Sequence, residues 1–486
     1  MQNLIPFLAQ TLSPGAIVTD AADRQSFETD FRGLIRHAAE CVVLPRNAQE
    51  VAITVQACAA RGVAIVPQGG NTGLVAGGVP APDVRQVILS LRRMNAIRAV
   101  DVIDNTMTVE AGVVLAAAQA AAGQHDRLLP LSLAAEGSCQ IGGNIATNAG
   151  GVQVVAHGTM RALVLGLEVV LADGRIWNGL RSVRKDNTGL DPKHLFIGAE
   201  GTTGIVTAAT LRLVPRPRQI ATRVIAVPDA DRALELYVAF SGRFGGELTS
   251  FEYFTRFGAQ MLRRHLPQFK HPMAEEHPAY VLCELASCDE ARDFAPGLET
   301  TLLRAMEQGI ALDSVVAQSE AHRQAFWQLR EGLPEGERAE GGAVKHDVAV
   351  PISRIPEILR QIERIIAQED AAPRLHVFGH IGDGNLHVNV LPPHGTSLEL
   401  YRQGSQALTQ RIEDAVMTAG GSFSAEHGVG QTRIPSLLRY RSPVELGVMG
   451  AVKAALDPCG VLNPGKVIPS SRPGVRAPGA KSAIGT

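Results

Sequence analysis

The sequence predicts an α+β protein of several domains. A chain of 486 residues is long enough for two or three domains with a sizeable core. Strand-like and helix-like patterns alternate in its first half, and amphipathic helices separate strand-like segments in its second half. With 45% hydrophobic and 19% charged residues, the composition is typical of a globular protein. The formal net charge of −2 does not favour a nucleic acid or an anionic membrane surface as a partner.

The first elements follow from periodicity and capping signals. Strand-like "CVVLP" and "VAIVPQG" flank a predicted helix that begins after Asn47 and ends at Gly62. Asn47, with Glu50 three residues later, is a capping-box pattern. Further strands are predicted in "VILSL", in "TMTVEAG", and at residues 163–171 and 204–213.

Breaks in composition predict the domain organisation. The Pro-rich "PRPRQ" at residues 215–219 marks the first boundary, and helices are predicted beyond it at 229–240, 298–308 and 355–367. The predicted parts are an N-terminal segment (1–36), a first domain (37–216), a second, α+β domain (217–420), a C-terminal segment (421–468) and a disordered tail rich in Pro, Gly and Ser (469–486).

The sequence offers no targeting or membrane-spanning signal. The start, "MQNLIPFLAQTLSPG", has no basic region before its short apolar stretch, so no signal peptide is expected. The longest nearly apolar run, residues 162–172, contains Glu168 and is too short to span a bilayer. Six cysteines form no CxxC pair, which indicates reduced thiols. We therefore expect a cytoplasmic protein with no membrane span.

Three Gly-rich stretches predict a binding site for an extended anionic ligand. "VPQGGNTGLVAGGVP" (66–80) has five glycines and no charged residue, and "GSCQIGGNIATNAGG" (137–151) and "GAEGTTGIV" (198–206) follow. Backbone amides of such loops can form an anion-binding nest that glycine lets a ligand approach closely. The first stretch contains neither the Lys and Ser/Thr of a P-loop nor G-x-G-x-x-G. Its alternative interpretation is a long surface turn.

The stretch "HVFGHIGDGNLHVNV" predicts a metal site. Asp383-Gly384 is typical of a type I′ hairpin, which would pair His380 with His387. Opposed residues hold their Cβ atoms roughly 4.5–5.5 Å apart, so the two imidazoles could share one metal ion. "SAEHGVG" offers Glu426 as a third ligand, and two His with one carboxylate suit a catalytic zinc-type site, although other divalent ions remain open. The alternative is a pair of structural histidines.

Together these motifs resemble a known family. "PQGGNTGLVAGG", "IGGNIATNAGG" and "GAEGTTGI" are similar to segments of the FAD-binding domain in the vanillyl-alcohol oxidase/para-cresol methylhydroxylase (PCMH) superfamily. Over residues 38–468 the chain resembles the D-2-hydroxyacid dehydrogenases of that superfamily, which include D-2-hydroxyglutarate, D-lactate and glycolate dehydrogenases. The resemblance implies a PCMH-type FAD-binding domain of two subdomains, an α+β substrate (cap) domain with an antiparallel sheet, and a small C-terminal helical segment.

The resemblance also implies how FAD is bound. Asn71 stands where covalent members of the superfamily often carry a flavin-linking His, so the FAD is expected to be non-covalent. The implied cofactor-binding residues are Pro67, Gly69, Gly70, Asn71, Thr72, Gly73, Gly137, Ser138, Gly142, Asn144, Thr147, Glu200, Gly201, Ile205, Val206 and Asn463.

The same resemblance assigns the chemistry. It implies that His380, His387 and Glu426 bind a divalent metal ion, preferably Zn²⁺, and that His427 abstracts the hydroxyl proton. A metal ion would favour loss of that proton, a neutral His with a pKa near ~6.5 could accept it, and the C2 hydride would pass to flavin N5. Cations suit substrate carboxylates. The implied substrate contacts are Arg330, Lys345, Asn389 and His427.

The implied activity is the FAD- and metal-dependent oxidation of a D-2-hydroxyacid, with D-2-hydroxyglutarate as the first choice. Pro334 departs from the pattern, because hydroxyglutarate-specific relatives place a Thr there. A D-lactate or glycolate dehydrogenase is therefore an alternative, and a catalytically silent flavin-binding subunit is another. The implied electron acceptor is an electron-transfer flavoprotein or a quinone-linked carrier, and a homodimer is possible.

Overall fold

The computed structural model describes residues 3–468, so the prediction of a disordered tail at 469–486 lies outside the described residues. The strands are β1 (Ile17–Val18), β2 (Val42–Val43), β3 (Ala64–Gln68), β4 (Gln86–Ser90), β5 (Ile97–Asp101), β6 (Thr106–Glu110), β7 (Arg127–Leu128), β8 (Val164–Val170), β9 (Ile176–Gly179), β10 (Ile205–Arg212), β11 (Val214–Pro215), β12 (Gln219–Val227), β13 (Leu248–Thr255), β14 (Ala279–Ser287), β15 (Asp313–Val316), β16 (Val344–Ala349), β17 (Arg374–Gly379) and β18 (Asn385–Leu391).

The helices include the four predicted from periodicity, at 47–62, 229–240, 298–308 and 355–367, and several more. They are α1 (Leu4–Thr11), α2 (Ala21–Glu28), α3 (Ala48–Ala59), α4 (Leu115–Gln124), α5 (Ile141–Ala146), α6 (Val154–His157), α7 (Met160–Leu163), α8 (Ala230–Phe244), α9 (Arg256–His265), α10 (Ala295–Glu307), α11 (Glu320–Glu331), α12 (Leu333–Ala339), α13 (Ile355–Ala367), α14 (Leu398–Gly404), α15 (Gln406–Thr418), α16 (Ile434–Tyr440) and α17 (Pro443–Leu456). Within residues 3–468, no helix combines the length and the hydrophobicity that crossing a membrane requires.

The chain forms two compact units. Within the described residues, the first unit consists of residues 3–149, 159–215 and 426–468. The second unit consists of Gly150–Gly158 and Arg216–Ala425. The main break falls after Pro215, inside the Pro-rich "PRPRQ" stretch.

The first unit contains two main sheets. One has four strands in the order β1-β2-β4-β3, in which β2 and β3 run parallel to β4. The other is antiparallel, with five strands in the order β5-β6-β10-β8-β9. Helix α3 packs its buried Val51 and Val55 on the first sheet, and the side chain of Asn47 caps it by accepting the backbone N–H of Glu50 at 2.9 Å. That bond confirms Asn47 as the N-cap. The reciprocal bond of a capping box is replaced, because the Glu50 carboxylate accepts from the backbone N–H groups of Arg46 and Ser13.

The Gly-rich stretches lie at the ends of elements in this unit. Strand β3 runs directly into the first stretch, α5 lies within the second, and β10 follows from the third. Glycine at these positions lets a ligand approach the backbone closely, and successive backbone N–H groups can bind an anion.

The second unit is built on an antiparallel sheet of seven strands in the order β15-β12-β14-β13-β17-β18-β16. One face packs against α8, α10, α13 and α15, with Phe240, Leu298 and Ile362 in that core. The other face packs against α9, α11 and α12, where Trp327 is buried. Because side chains alternate along a strand, every second residue of β16, β17 and β18 faces this second side.

The hairpin between β17 and β18 differs from the predicted one. Phe378, not His380, is the register partner of His387. The turn is longer than predicted, because the carbonyl of His380 accepts backbone hydrogen bonds from residues 383–385. The predicted type I′ turn is wrong, since it needs positive φ at both central residues and only Gly384 has one (92°). The pairing register of β17 and β18 is shifted by two residues from the predicted one, and an even shift leaves each side chain on the same face of the sheet. His387 therefore still lies on the face predicted for it.

Candidate active site

A cavity in the first unit is walled by all three Gly-rich stretches. Of the predicted cofactor-binding residues, those in its wall are Pro67, Gly69, Gly70, Asn71, Thr72, Gly73, Gly142, Asn144, Thr147, Glu200, Gly201, Ile205 and Val206. His427 lines the same cavity. Lining residues that the sequence analysis did not single out include Gln68, Gln140, Gly143 and Phe196. Gly137, Ser138 and Asn463 are not among the described lining residues.

The loops around the cavity approach one another too closely for larger residues. A Cβ atom on Gly70 would lie 2.1 Å from the carbonyl oxygen of Ser138, and one on Gly142 would lie 2.7 Å from the Cβ of Ala111. The described lining includes neither Lys nor Arg. Its polar groups are backbone amides, the side chains of Asn, Gln and Thr, and Glu200 and His427. Such a wall fits a pyrophosphate bound by backbone N–H groups rather than by cations.

Asn71 uses its side chain within the protein. Its backbone has φ of 55°, in the left-handed region that Asn tolerates, and its Nδ2 donates to the carbonyl of Thr29 at 2.8 Å. The amide therefore ties the first Gly-rich loop to the N-terminal segment.

Glu200 joins the cavity wall to the segment that carries His427. Its carboxylate accepts the backbone N–H of Val429 at 2.7 Å and that of Gly430 at 3.0 Å. Burial raises the pKa of Glu200 to about 7, against the opposing effect of these hydrogen bonds and of Lys466. Because Val429 is two residues from His427, Glu200 restrains the position of the predicted base.

Asn463 forms hydrogen bonds to the cavity wall, and Lys466 forms one to Asn463. Asn463 Nδ2 donates to the carbonyls of Glu200 at 2.8 Å and Gly77 at 3.1 Å. Lys466 Nζ donates to Asn463 Oδ1 at 2.7 Å and to the carbonyl of Val79 at 2.5 Å. Burial lowers the pKa of Lys466 to about 7, although Glu200 opposes the shift. The side chain of Asn463 thus holds the wall in place.

In the second unit, polar side chains collect on one face of β16, β18 and β17. Register places Lys345, Asn389 and His376 in one row across the three strands, and Asp347, His387 and Phe378 in the next. Neighbours in such a row have Cβ atoms roughly 4.5–5.5 Å apart. Two predicted substrate residues and one predicted metal ligand therefore lie on one surface of the sheet.

His380 lies beside His387, with the ring centroids 5.5 Å apart. His380 is buried, and its Nδ1 lies 2.7 Å from Oε1 of Glu252. Nδ1 of His387 lies 3.7 Å from Oδ1 of Asp347, beyond hydrogen-bond distance, whereas the 2.7 Å contact of His380 is a hydrogen bond. A carboxylate on Nδ1 is the usual arrangement for a metal-binding imidazole, because it leaves Nε2 for the metal ion. The donor set of this pair fits a divalent metal ion.

Arg330 is buried and forms an ion pair with Glu252. The guanidinium places Nε 2.9 Å and Nη2 2.8 Å from Oε2 of Glu252 and lies over the ring of Phe378, 4.8 Å from its centroid. Burial raises the pKa of Glu252, but His380 and Arg330 together hold it below its ordinary value. One buried carboxylate therefore contacts both a predicted metal ligand and a predicted substrate cation.

A second buried carboxylate, Glu337 of α12, holds the other predicted substrate residues. Its Oε1 lies 3.2 Å from Nζ of Lys345, and its Oε2 accepts from Nδ2 of Asn389 at 2.7 Å and Nδ1 of His376 at 3.1 Å. Burial raises the pKa of Glu337, but the hydrogen bond of His376 and the charge of Lys345 keep it below its ordinary value.

Glu252 and Glu337 were not identified from the sequence. Glu252 interrupts the otherwise apolar end of β13, "FEYF", and an acidic residue inside a buried strand was a usable signal. Glu337 lies in the helical "LPEGERA", where nothing in the sequence separates it from an exposed acid.

Glu426 and His427 begin the last segment of the first unit. Ala425, which precedes them and ends the second unit, donates its backbone N–H to the carbonyl of Asp347 at 3.2 Å. Asp347 is the register partner of His387. The last residue before Glu426 is thus bonded to β16, the strand that pairs with the strand of His387.

Two family models match the chain. One, described as FAD binding domain, matches residues 39–179, and the other, FAD linked oxidases, C-terminal domain, matches residues 216–467. The chain belongs to the FAD-linked oxidases. It is an FAD-dependent oxidoreductase, and the predicted family resemblance is confirmed.

This FAD-linked oxidase is similar to three curated relatives along almost its whole length. It is 39% identical to D-2-hydroxyglutarate dehydrogenase of Xanthomonas citri pv. viticola, over 95% of this chain and 96% of that protein. It is 36% identical to the Stutzerimonas stutzeri protein of the same name, over 96% and 98%. It is 34% identical to the mitochondrial D-2-hydroxyglutarate dehydrogenase of Arabidopsis thaliana, over 96% and 82%.

Solved structures confirm the fold of the FAD-linked oxidase. Substrate-bound p-cresol methylhydroxylase superposes with a TM-score of 0.77 at 18% identity, over 96% of both chains. The 4-ethylphenol oxidase of Gulosibacter chungangensis superposes with a TM-score of 0.74 at 18% identity, also over 96% of both. The predicted α+β class with a PCMH-type FAD-binding domain is therefore confirmed.

Proposed function

We propose that this FAD-linked oxidase oxidises D-2-hydroxyglutarate to the 2-oxoacid, with non-covalent FAD and a divalent metal ion. The observation that carries the proposal is the polar face of the second unit. There, Lys345 of β16 lies one row from His387. The guanidinium of Arg330, from helix α11, lies over Phe378, the register partner of His387. His380 lies beside His387. Two cations suit a substrate with two carboxylates. The names of the relatives, at 34–39% identity, support the same substrate.

His380, His387 and Glu426 would hold the metal ion, for which Zn²⁺ is the first choice. The imidazole pair and its carboxylate partners support this assignment, as does the hydrogen bond of Ala425 next to Glu426. When bound, the metal ion would stabilise negative charge on the substrate oxygen and FAD would accept the hydride at N5.

The remaining roles fall to the side chains around these sites. His427 would accept the hydroxyl proton, and its place in the cavity wall supports that role. Arg330 and Lys345 would bind the carboxylates, each kept in place by one buried glutamate. Asn389, fixed by the same glutamate as Lys345, would donate a hydrogen bond to the substrate.

Anaerobic flavin reduction by substrate tests the proposal. His387→Ala should lower bound metal and slow reduction by orders of magnitude, with FAD content unchanged, because His387 is not in the described cavity wall. His427→Asn should keep metal and FAD but still slow reduction, because the proton acceptor is gone. Reduction at the wild-type rate in metal-free protein would overturn the metal's role. D-2-hydroxyglutarate that does not reduce the wild-type flavin would overturn the substrate assignment.

Pro334 favours a D-lactate or glycolate dehydrogenase as the second candidate. It occupies the first turn of α12, between Arg330 and Glu337, and offers no hydroxyl to a second carboxylate. The ratio of kcat/KM for D-2-hydroxyglutarate and D-lactate distinguishes the two. If D-2-hydroxyglutarate is the substrate, its kcat/KM divided by that of D-lactate should exceed one. The same ratio should rise further in Pro334→Thr. A ratio below one would favour the second candidate.

The electrons leaving the flavin need an acceptor, and the sequence prediction of an electron-transfer flavoprotein or a quinone-linked carrier is our proposal for it. We also propose a cytoplasmic location, for which the six cysteines without a CxxC pair are the support. A homodimer stays a prediction. Reoxidation of the reduced enzyme by each purified carrier, followed by absorbance, tests the acceptor.

A further inference from the structure

We propose that Glu252 is a positioning residue that sets the tautomer of His380 and thereby makes its Nε2 available to the metal ion. The inference rests on the proposed function, because it concerns the same metal site. Glu252 belongs to β13, whose Tyr253 and Phe254 pair with Gly379 and Phe378 of β17. Continuing that antiparallel register places Glu252 opposite His380, on the face occupied by Phe254.

The hydrogen bonds of Glu252 determine which ring nitrogen of His380 carries the proton. Arg330 can only donate, and it takes Oε2 through Nε and Nη2. A carboxylate paired with a guanidinium is ionised and can only accept hydrogen bonds. Oε1, 2.7 Å from Nδ1 of His380, therefore requires a proton on that nitrogen. In a neutral ring, Nε2 is then the unprotonated nitrogen, which is the form that can bind a metal ion.

The burial of this group makes the arrangement rigid. Glu252 has no exposed surface and Arg330 has 5%, so water cannot replace either partner. Glu252 touches neither the substrate nor, through its own oxygens, the metal ion in this scheme. It acts through His380, and through Arg330 it ties the orientation of a predicted substrate cation to the same carboxylate.

Glu252→Gln separates the tautomer from mere packing. The amide has one acceptor oxygen and one donor NH₂, and Arg330 can bond only to the oxygen. His380 then faces a donor, so Nδ1 must give up its proton and Nε2 must carry it. A protonated Nε2 cannot bind metal, and loss of such a carboxylate partner lowers metal affinity about 10- to 100-fold.

Glu284 provides a matched control in the same sheet. It is a buried glutamate of β14 whose Oε2 accepts from Arg323 of α11 at 3.0 Å and from the indole N–H of Trp327 at 2.9 Å. The same oxygen accepts from the hydroxyl of Thr222 at 2.7 Å, and none of these partners is a histidine. Glu284→Gln removes the same charge from beside an arginine of the same helix. It should leave Zn²⁺ affinity within about threefold of the wild type, a shift below roughly 1 kcal/mol.

The experiment titrates Zn²⁺ alone into the metal-depleted, FAD-containing full chain, against a competing chelator. FAD content and thermal melting establish that each variant is folded. We expect a 10- to 100-fold weaker Zn²⁺ dissociation constant for Glu252→Gln and no such change for Glu284→Gln. Equal affinities of Glu252→Gln and the wild type, or equal losses in both variants, would overturn the proposal.

A second measurement is made on the wild type, so it depends neither on the folding of Glu252→Gln nor on metal binding. In ¹⁵N spectra of histidine-labelled, metal-free wild type, with the His380 signals assigned by their loss in His380→Asn, Nδ1 should be the protonated nitrogen. A proton on Nε2 would overturn the inference. If the wild type shows the expected tautomer but binds no Zn²⁺, the proposed metal site fails, and the inference fails with it, since Nε2 would then serve no metal ion. If Zn²⁺ binds and the tautomer is the opposite one, the inference fails alone.

Discussion

Gly70→Ala should weaken FAD binding by an amount that follows from the packing of two loops. The added Cβ would lie 2.1 Å from the carbonyl oxygen of Ser138, and real Cβ contacts are essentially never below 3.0 Å. The obstacle is backbone, so the loops must separate by about 1 Å, and overpacking of this kind costs about 1–3 kcal/mol. At 1.4 kcal/mol per tenfold, this corresponds to a loss of about 5- to 150-fold in affinity. Because Gly70 lines the cavity, the shift displaces the amides proposed to face the pyrophosphate.

Gly137→Ala is the control for this prediction. Gly137 belongs to the second Gly-rich stretch and was predicted to bind FAD, but it is not among the described lining residues of the cavity. It has no heavy atom within 4 Å of an added Cβ and no left-handed φ. Its dissociation constant for FAD should stay within about twofold of the wild type, a shift near 0.4 kcal/mol. Titration of FAD into flavin-depleted protein, followed by fluorescence, measures the FAD dissociation constants of the wild type and of both variants. Wild-type affinity in Gly70→Ala, or an equal loss in Gly137→Ala, would refute the argument from packing.

Three further predictions concern the buried carboxylates and the metal ion. Glu337→Gln should raise KM for D-2-hydroxyglutarate about tenfold, with a smaller effect on kcat. The reason is that Lys345 loses its charged partner, and a hydrogen bond to a charged group contributes about 1.5–3 kcal/mol. Steady-state kinetics with an artificial electron acceptor check this prediction, and an unchanged KM would contradict it. Glu200 has a raised pKa of about 7, so its contribution to stability is complete below its ordinary value near 4.5 and is lost as the pH rises through 7. The melting temperature of the wild type relative to Glu200→Gln should therefore fall between pH 5 and pH 8, and a constant difference would exclude this titration. Chelation of the wild type should slow flavin reduction at least about tenfold and leave FAD absorbance unchanged, and Zn²⁺ should restore the rate.

Local signals in the sequence predicted many of the elements well. Helix α13 occupies residues 355–367, as the periodicity indicated, and Asn47 caps α3 as its spacing to Glu50 indicated. Such predictions succeed because periodicity and capping depend on residues within a few positions of one another. The β17–β18 turn was predicted less well, because Asp383-Gly384 permits several turns and the contacts of His380 select a longer one.

The sequence by itself determined which chemical groups this protein can use: Gly-rich stretches without cations, an imidazole pair, a Glu-His dipeptide and two candidate cations. It also determined the alternation that puts His387 and Asn389 on one face of a strand. Only the tertiary structure decided what holds those groups. Glu252 reaches its partners across 78 and 128 residues of chain, and no local pattern encodes a contact at that distance. A carboxylate in a strand is an unpaired charge until folding brings an arginine and a histidine to it, and burial then makes that pairing obligatory.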